Sequence, residues 1–188
     1  MSIRILGGLG KGHVLEVPPE NITRPTSVML RRKLFDRYQD ISDYTFIDIC
    51  AGSGAMGLEA ISRGAKKVIF IENSQKALSI LKKNIKSFKE KLQLKDDIFQ
   101  VLFTDYKKLN FSQVLDTPSF IFFDPPYEKK QLYQEFFDLL SNQSLIDVIV
   151  VVEACSQKTM TITEFEQKFG TPDKVLTHSS HYFALYEF

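Results

Sequence analysis

From residue 44 onward, short apolar runs alternate with stretches of helical periodicity, and that alternation restricts the chain to a parallel sheet with helices on both faces. Thr45-Phe46-Ile47-Asp48-Ile49-Cys50 reads as a buried strand ending at a glycine turn. Ala55 to Arg63 has helical spacing and stops at Gly64, a residue suited to a C-terminal cap. Lys67–Glu72 is the second strand. Ala77, Ile80, Leu81, Asn84, Ile85 and Phe88 then recur at three- and four-residue steps, one face of an amphipathic helix. Ile98–Phe103 and Ser119–Phe123 are the third and fourth strands. A helix rich in Phe and Leu runs to Leu140, followed by the apolar run Val148–Val152. A short helix near Ile162–Phe169 precedes two closely spaced strands, Lys174–His178 and Tyr182–Tyr186. These have no room for a crossover, so they should pair antiparallel at one sheet edge. Before residue 44, Ile3–Leu6 and Val14–Val17 read as short strands around a Gly-rich turn, and Thr26–Tyr38 as a helix.

Composition excludes several classes. With 188 residues, 44% hydrophobic and 25% charged, the chain fits one globular domain plus a small appendage. No apolar run approaches the roughly 20 residues that span a bilayer. The N-terminus Met1-Ser2-Ile3-Arg4 lacks the apolar region of a signal peptide, so a cytoplasmic location and no membrane partner are expected. Cys50 and Cys155 give neither a disulfide framework nor metal-ligand spacing, and His13, His178 and His181 are scattered; no metal is expected. Net charge is +1. Residues 1–37 nevertheless hold Arg4, Lys11, Arg24, Arg31, Arg32, Lys33 and Arg37 against Glu16, Glu20 and Asp36, a segment suited to phosphate contact. A second cluster, Lys76, Lys82, Lys83, Lys86, Lys89, Lys91 and Lys95, reads as a solvated helix face.

Two motifs carry chemistry. Asp48-Ile49-Cys50-Ala51-Gly52-Ser53-Gly54-Ala55-Met56-Gly57 sits where a strand hands over to a helix, so the backbone turns sharply and the helix N-terminus points at a ligand. Glu72 ends the next strand, about 20 residues past Gly52, where an acid can bind ribose hydroxyls. These features alone also fit a dinucleotide. The cationic end of S-adenosylmethionine is better matched by Asp48, a carboxylate beside the turn. Asp105, at the end of the third strand, can accept from an adenine amino group or cap a turn. Candidate cofactor residues are therefore Asp48, Ala51, Gly52, Ser53, Gly54, Gly57, Glu72 with Asn73, and Asp105 with Tyr106.

The second motif, Asp124-Pro125-Pro126-Tyr127, follows the fourth strand. Two prolines remove backbone donors and hold the chain extended, so a carboxylate and a carbonyl can accept both hydrogens of one planar amine. Tyr127 offers a face for stacking a base, worth about 1–3 kcal/mol. Asp124, Pro125, Pro126 and Tyr127 are the candidate catalytic residues of a methyltransferase acting on an exocyclic amino nitrogen. Glu153, at the end of the fifth strand, suits a structural role as well as substrate positioning.

These residues resemble the bacterial 16S ribosomal RNA guanine-N2 methyltransferases of the D type (RsmD family). The likeness includes Ile3-Arg4-Ile5-Leu6-Gly7-Gly8, Arg24-Pro25-Thr26, Leu34-Phe35, the block Asp48 to Ala60, Ser62-Arg63-Gly64-Ala65, Glu72, Asp124-Pro125-Pro126-Tyr127 and Glu153. The resemblance implies a Rossmann-like class I methyltransferase fold: a seven-stranded, mostly parallel sheet with an antiparallel last strand, preceded by a hairpin and helix. Residues 1–43 are then an RNA-contacting appendage and residues 44–188 the methyltransferase domain. It implies ribosomal RNA or the assembling small subunit as partner, with RNA contacts expected from Arg4, Lys11, His13, Arg24, Thr26 and Arg31; separately, a monomer is expected. The chain departs from the family at Leu9-Gly10-Lys11-Gly12-His13 and at Met29 and Arg32. Other readings stay open at this level: a DNA adenine or protein glutamine N-methyltransferase, a nicotinamide-dependent oxidoreductase, or a non-catalytic RNA-binding protein.

Overall fold

The computed structural model describes residues 2–17 and 27–188. The alternating apolar runs form one seven-stranded sheet, with β3 (Thr45–Ile49), β4 (Lys67–Glu72), β5 (Phe99–Phe103), β6 (Ser119–Phe123), β7 (Val148–Cys155), β8 (Lys174–His178) and β9 (His181–Glu187) in the order β5-β4-β3-β6-β7-β9-β8. The first five are parallel; β9 runs antiparallel between β7 and β8. The two last strands do form an antiparallel pair at the sheet edge, with β9 inserted on the inner side. That insertion lengthens β7 beyond its apolar run. Its parallel partner β6 ends opposite Val152, whereas β9 continues the ladder to Cys155.

Strand β6 shows how side-chain alternation builds two cores. Phe120 and Phe122 enter the layer containing α1 (Val28–Arg37), α2 (Ala55–Ser62) and α3 (Gln75–Leu92), where Phe46 and Phe120 stack with ring centroids 5.1 Å apart. Ile121 and Phe123 enter the opposite layer under α4 (Lys130–Ser141) and α5 (Ile162–Phe169), where Phe123 and Phe136 stack at 4.0 Å. Helix α3 outruns its apolar stripe at both ends because Ser74 caps its start and Gln93, in the left-handed region at φ 54°, closes it. Among the described residues, no helix is long and apolar enough to cross a membrane.

The N-terminal segment shares the first of these cores. Strands β1 (Ser2–Arg4) and β2 (Val14–Glu16) pair antiparallel and contribute Ile3, Ile5 and Leu15. β1 stops before Leu6 because the Leu6 and Gly7 amides turn to the buried Glu59 carboxylate of α2, at 2.7 and 2.9 Å. Gly8, at φ +72°, lies so close to Ser62 that a Cβ would meet its carbonyl oxygen at 1.7 Å, so only glycine fits this contact.

Glu59 is fully buried and also accepts from Arg63 Nε at 2.8 Å, with Arg31 Nε 3.9 Å away. Removing it leaves two backbone amides and two guanidinium groups without their anion. Glu59→Ala should therefore destabilise the protein by about 3–5 kcal/mol in urea unfolding. Asp116→Ala, which breaks an exposed 3.7 Å pair with Lys66, should cost less than about 1 kcal/mol in the same assay.

Candidate active site

The parallel strands all end at one edge, and that edge gathers the acidic residues of both motifs. After β3 the backbone turns through Cys50 (φ 65°), Gly52 (φ 56°) and Gly54 (φ 80°) before α2 begins. Two buried carboxylates fix this turn. Asp48 accepts the Gly57 amide at 2.9 Å, tying the first turn of α2 back to the strand. Glu72 accepts the Gly52 amide at 2.8 Å on one oxygen, and the Asn73 and Ser74 amides at 2.9 and 2.8 Å on the other. Of about four lone-pair sites on a carboxylate, three are thus in use. In this arrangement Glu72 can accept one further hydroxyl directly; accepting two requires one amide to be released.

Asp124 N–H donates to the Ile49 carbonyl at 3.3 Å, hanging the Asp-Pro-Pro-Tyr loop from the end of β3 beside the glycine turn. Within the loop the Pro126 carbonyl takes the Lys129 amide at 2.9 Å, and the Tyr127 carbonyl takes the Thr159 hydroxyl at 3.2 Å. Tyr127 is 7% exposed, its ring packs 5.4 Å from that of His181, and its hydroxyl donates to Glu153 at 2.7 Å. Burial, with Asp124 and Glu153 adding, pushes that phenol far above its ordinary range, so it stays protonated. The expected open stacking face is therefore covered in this conformation. Tyr127 instead braces the loop against β7 through Glu153.

Cys50 lies at the meeting point. Burial raises its thiol well above the usual range, and the charges of Glu72, Asp124, Asp48 and Asp105 act on it in the same sense. Four acidic side chains thus stand near this thiol at the ends of adjacent strands. Such a donor set suits a ligand carrying positive charge, here the sulfonium and ammonium of S-adenosylmethionine, and opposes the pyrophosphate of a dinucleotide.

The remaining expected site residues divide. Ala51, Ser53 and Gly57 lie buried in the turn and its helix, and Asn73 is exposed beside Glu72. Asp105 caps the 3-10 turn Tyr106–Lys108 by accepting the Lys107 amide at 3.1 Å. The Tyr106 side chain must be corrected to a core residue: it is 4% exposed, packs edge-on against Phe123 and donates to the Leu132 carbonyl at 2.9 Å.

On the RNA side, Arg4 and Lys11 are exposed. Arg24 and Thr26 lie outside the described residues. Arg31 does not reach solvent: it is 1% exposed and donates from Nη2 to the Arg4 carbonyl at 2.7 Å, so its part is to hold the hairpin. His13 is likewise corrected. It packs edge-on against Phe88 at 5.3 Å, and burial together with Lys91 lowers its pKa, leaving a neutral ring rather than a phosphate-binding cation.

Asn84 is the residue that sequence reading placed only among helix-face positions. Its Oδ1 accepts the Glu16 amide at 2.9 Å, while Nδ2 donates to the carbonyls of Glu16 and Ser53, each at 2.8 Å. It joins the hairpin to the glycine turn. The signal available was a polar residue inside an apolar stripe.

A parallel sheet with its antiparallel insertion, a carboxylate-braced glycine turn and an Asp-Pro-Pro-Tyr loop on the same edge together define a class I S-adenosylmethionine-dependent methyltransferase. The family described as Conserved hypothetical protein 95 matches over residues 3–175. Ribosomal RNA small subunit methyltransferase D of Haemophilus influenzae is 32% identical over 168 residues, covering 87% of this chain and 84% of that protein. The Escherichia coli K12 protein of the same name is 31% identical over 157 residues, covering 81% and 75%. The chain belongs to this family, that of ribosomal RNA small subunit methyltransferase D. Among solved structures it is similar to a hypothetical protein of Thermus thermophilus, with TM-score 0.75, 26% identity and 99% of both chains covered. It also shares the fold of a 16S rRNA N2 methyltransferase (RsmC) of Thermus thermophilus in complex with AdoMet and guanosine. There the TM-score is 0.71 and identity 20%, with 100% of this chain and 49% of that chain covered.

Burial pushes the Asp48 carboxyl up to about 7, with Glu72 adding and the Gly57 amide opposing. Because the folded value lies above the unfolded one, the folded protein holds an extra proton between about pH 4 and 7, and the stability this contributes is lost as pH rises through 7. Asp48→Asn should therefore raise the stability of the cofactor-free protein at pH 8 by up to about 4 kcal/mol. The gain should vanish below about pH 4, as read from paired denaturation curves across pH.

Proposed function

We propose that this protein transfers the methyl group of S-adenosylmethionine to the exocyclic N2 of a guanine in small-subunit ribosomal RNA. The observation that carries the reading is the placement of Asp48, Glu72, Asp105 and Asp124 at the carboxyl ends of adjacent parallel strands, with Asp124 hung from the end of β3 next to the glycine turn. Family membership supports ribosomal RNA as the substrate.

S-adenosylmethionine supplies an electrophilic methyl group on a sulfonium centre. The chain supplies its surroundings. The N-terminus of α2 suits the cofactor's carboxylate, Asp48 its ammonium group, the remaining acceptor site of Glu72 a ribose hydroxyl, and Asp105 the adenine amine. With the Pro126 and Tyr127 carbonyls engaged in bracing the loop, we assign the Pro125 carbonyl to work with the Asp124 carboxylate on one –NH₂ group. The lone pair of a guanine amino group is delocalised into its ring. Accepting both its hydrogens favours the localised, nucleophilic geometry, and that stabilisation grows toward the transition state. The S–C bond breaks as the N–C bond forms, S-adenosylhomocysteine leaves, and the amine proton departs to solvent afterward, so Asp124 need not take it before attack.

Incubation with labelled S-adenosylmethionine and unmethylated small-subunit particles or their RNA, followed by nucleoside digestion, should yield N2-methylguanosine. Label in adenosine, or none in RNA, would refute the assignment. Asp124→Ala should lower the methylation rate by about 10²- to 10³-fold, in line with loss of one transition-state acceptor, while cofactor affinity in calorimetry changes little.

A further inference from the structure

The chain is electrically divided along its length. Residues 1–95 contain 17 Lys and Arg against 9 Asp and Glu, whereas residues 96–188 contain 7 against 14. The fold turns this into a division between faces. The first half supplies the hairpin, α1, α2 and α3 on one side of the sheet; the second supplies α4 and α5 on the other.

Within the positive half, the lysines of α3 are not equivalent. At 100° per residue, Lys76, Lys83 and Lys91 fall along one flank of the helix, while Lys82, Lys86 and Lys89 fall along the other. The second group is turned toward β5: Lys89 pairs with Asp96 in the turn leading into that strand, and Lys86 lies 3.9 Å from Glu90. The first group borders the hairpin. Lys83 Nζ is 3.9 Å from Glu16, Ser87 on the same flank lies 3.5 Å from His13, and Lys91 is close enough to act on the His13 imidazole. Among the described residues, Lys76 and Lys91 have no acid within ion-pair distance. Lys83 is two-thirds exposed and its pair with Glu16 is long, so all three charges remain available.

The flank also points somewhere. Helix α3 begins directly after Glu72-Asn73-Ser74, at the cofactor edge of the sheet, so Lys76 stands beside the site mouth. Lys91 is 15 residues further, about 22 Å along the axis. Near that end the hairpin turn is pinned to α2 and α3, with the Gly10 amide on the Ser62 hydroxyl at 2.8 Å and Gly10 against the Phe88 ring, and exposed Lys11 extends the row.

We propose that Lys76, Lys83, Lys91 and Lys11 form a track for the phosphodiester backbone of ribosomal RNA, leading from the hairpin turn to the active-site mouth. This rests on the assignment of ribosomal RNA as substrate. It assigns to α3 what His13 and Arg31, both buried, do not supply. Regularly spaced cations on a rigid helix hold the RNA in register while the target base is presented at the carboxyl edge.

The test compares two triple variants of equal charge loss, Lys76→Gln/Lys83→Gln/Lys91→Gln and Lys82→Gln/Lys86→Gln/Lys89→Gln. Glutamine keeps helix propensity close to that of lysine, and thermal melting with cofactor calorimetry checks that both fold and bind. With a small-subunit ribosomal RNA transcript, the hairpin-flank variant should bind about 10- to 100-fold more weakly near 0.15 M salt, and its log K against log salt slope should be shallower by about 2–3. Its KM for RNA should rise with kcat little changed, and the opposite-flank variant should stay within about threefold of wild type. Equal loss in both variants, or loss in neither while wild type methylates normally, overturns the track but leaves the enzymatic assignment standing. Loss confined to assembled particles, with the naked transcript unaffected, also overturns it in favour of a protein contact. A wild-type protein that neither binds nor methylates the RNA overturns the track and the substrate assignment together.

Discussion

A carboxylate accepting backbone amides is the recurring device on which this molecule depends, and Glu72 is its central instance. The amides of Gly52, Asn73 and Ser74 have no partner in the strands they leave, because the chain is turning there. One side chain at the end of β4 satisfies all three. It thereby fixes the glycine turn after β3 and the start of α3 as a single unit. Asp48 does the same for the first turn of α2, and Glu59, midway along that helix, for the departing residues Leu6 and Gly7. Charged groups are costly to bury unless hydrogen-bonded, so each of these acids is tolerated only because the backbone offers it donors.

The same device explains why the N-terminal segment is more than an attachment. Glu59, Ser62 and Asn84 hold it through backbone groups, and Asn84 extends the connection to Ser53 in the glycine turn. Asn84 thus bridges β2 and the cofactor turn with one buried amide whose donors and acceptor are engaged. The bridge is buried and continuous. Here it consists of three hydrogen bonds between 2.8 and 2.9 Å.

Much of the fold was legible in the sequence because its signals are local. Strands β4, β6 and β8 and helix α5 fall within the boundaries their apolar patterns imply, and both site motifs sit at strand ends. What could not be read is what depends on residues distant in the chain. The place of β9 beside β7 is set by pairing, not by its own composition. Arg31 sits in a basic run that reads as phosphate-binding, yet it is the helix position facing Glu59 and the Arg4 carbonyl, and so it is buried. Tyr127 has the residue type of a stacking platform, but Glu153 lies 26 positions away and turns it into a brace. The periodicity that gives α3 its apolar stripe also left its lysines looking alike; only the location of the hairpin separates one flank from the other.

The charge distribution and the site chemistry oppose each other, and the sheet reconciles them. The carboxyl edge gathers acids, which suit a cationic cofactor but repel a polyanionic substrate. A nucleic acid could not be drawn there by the site itself. The positive residues lie instead on the exposed surfaces of the hairpin and α3, in a row that reaches the site mouth only at Lys76. Near a Debye length of about 8 Å at physiological salt, exposed lysines act on phosphates that pass them and only weakly on acids deeper in the protein. RNA affinity and cofactor affinity can then be set by different residues. The proposed substrate then needs to bring only the uncharged edge of one base to the acidic edge of the sheet.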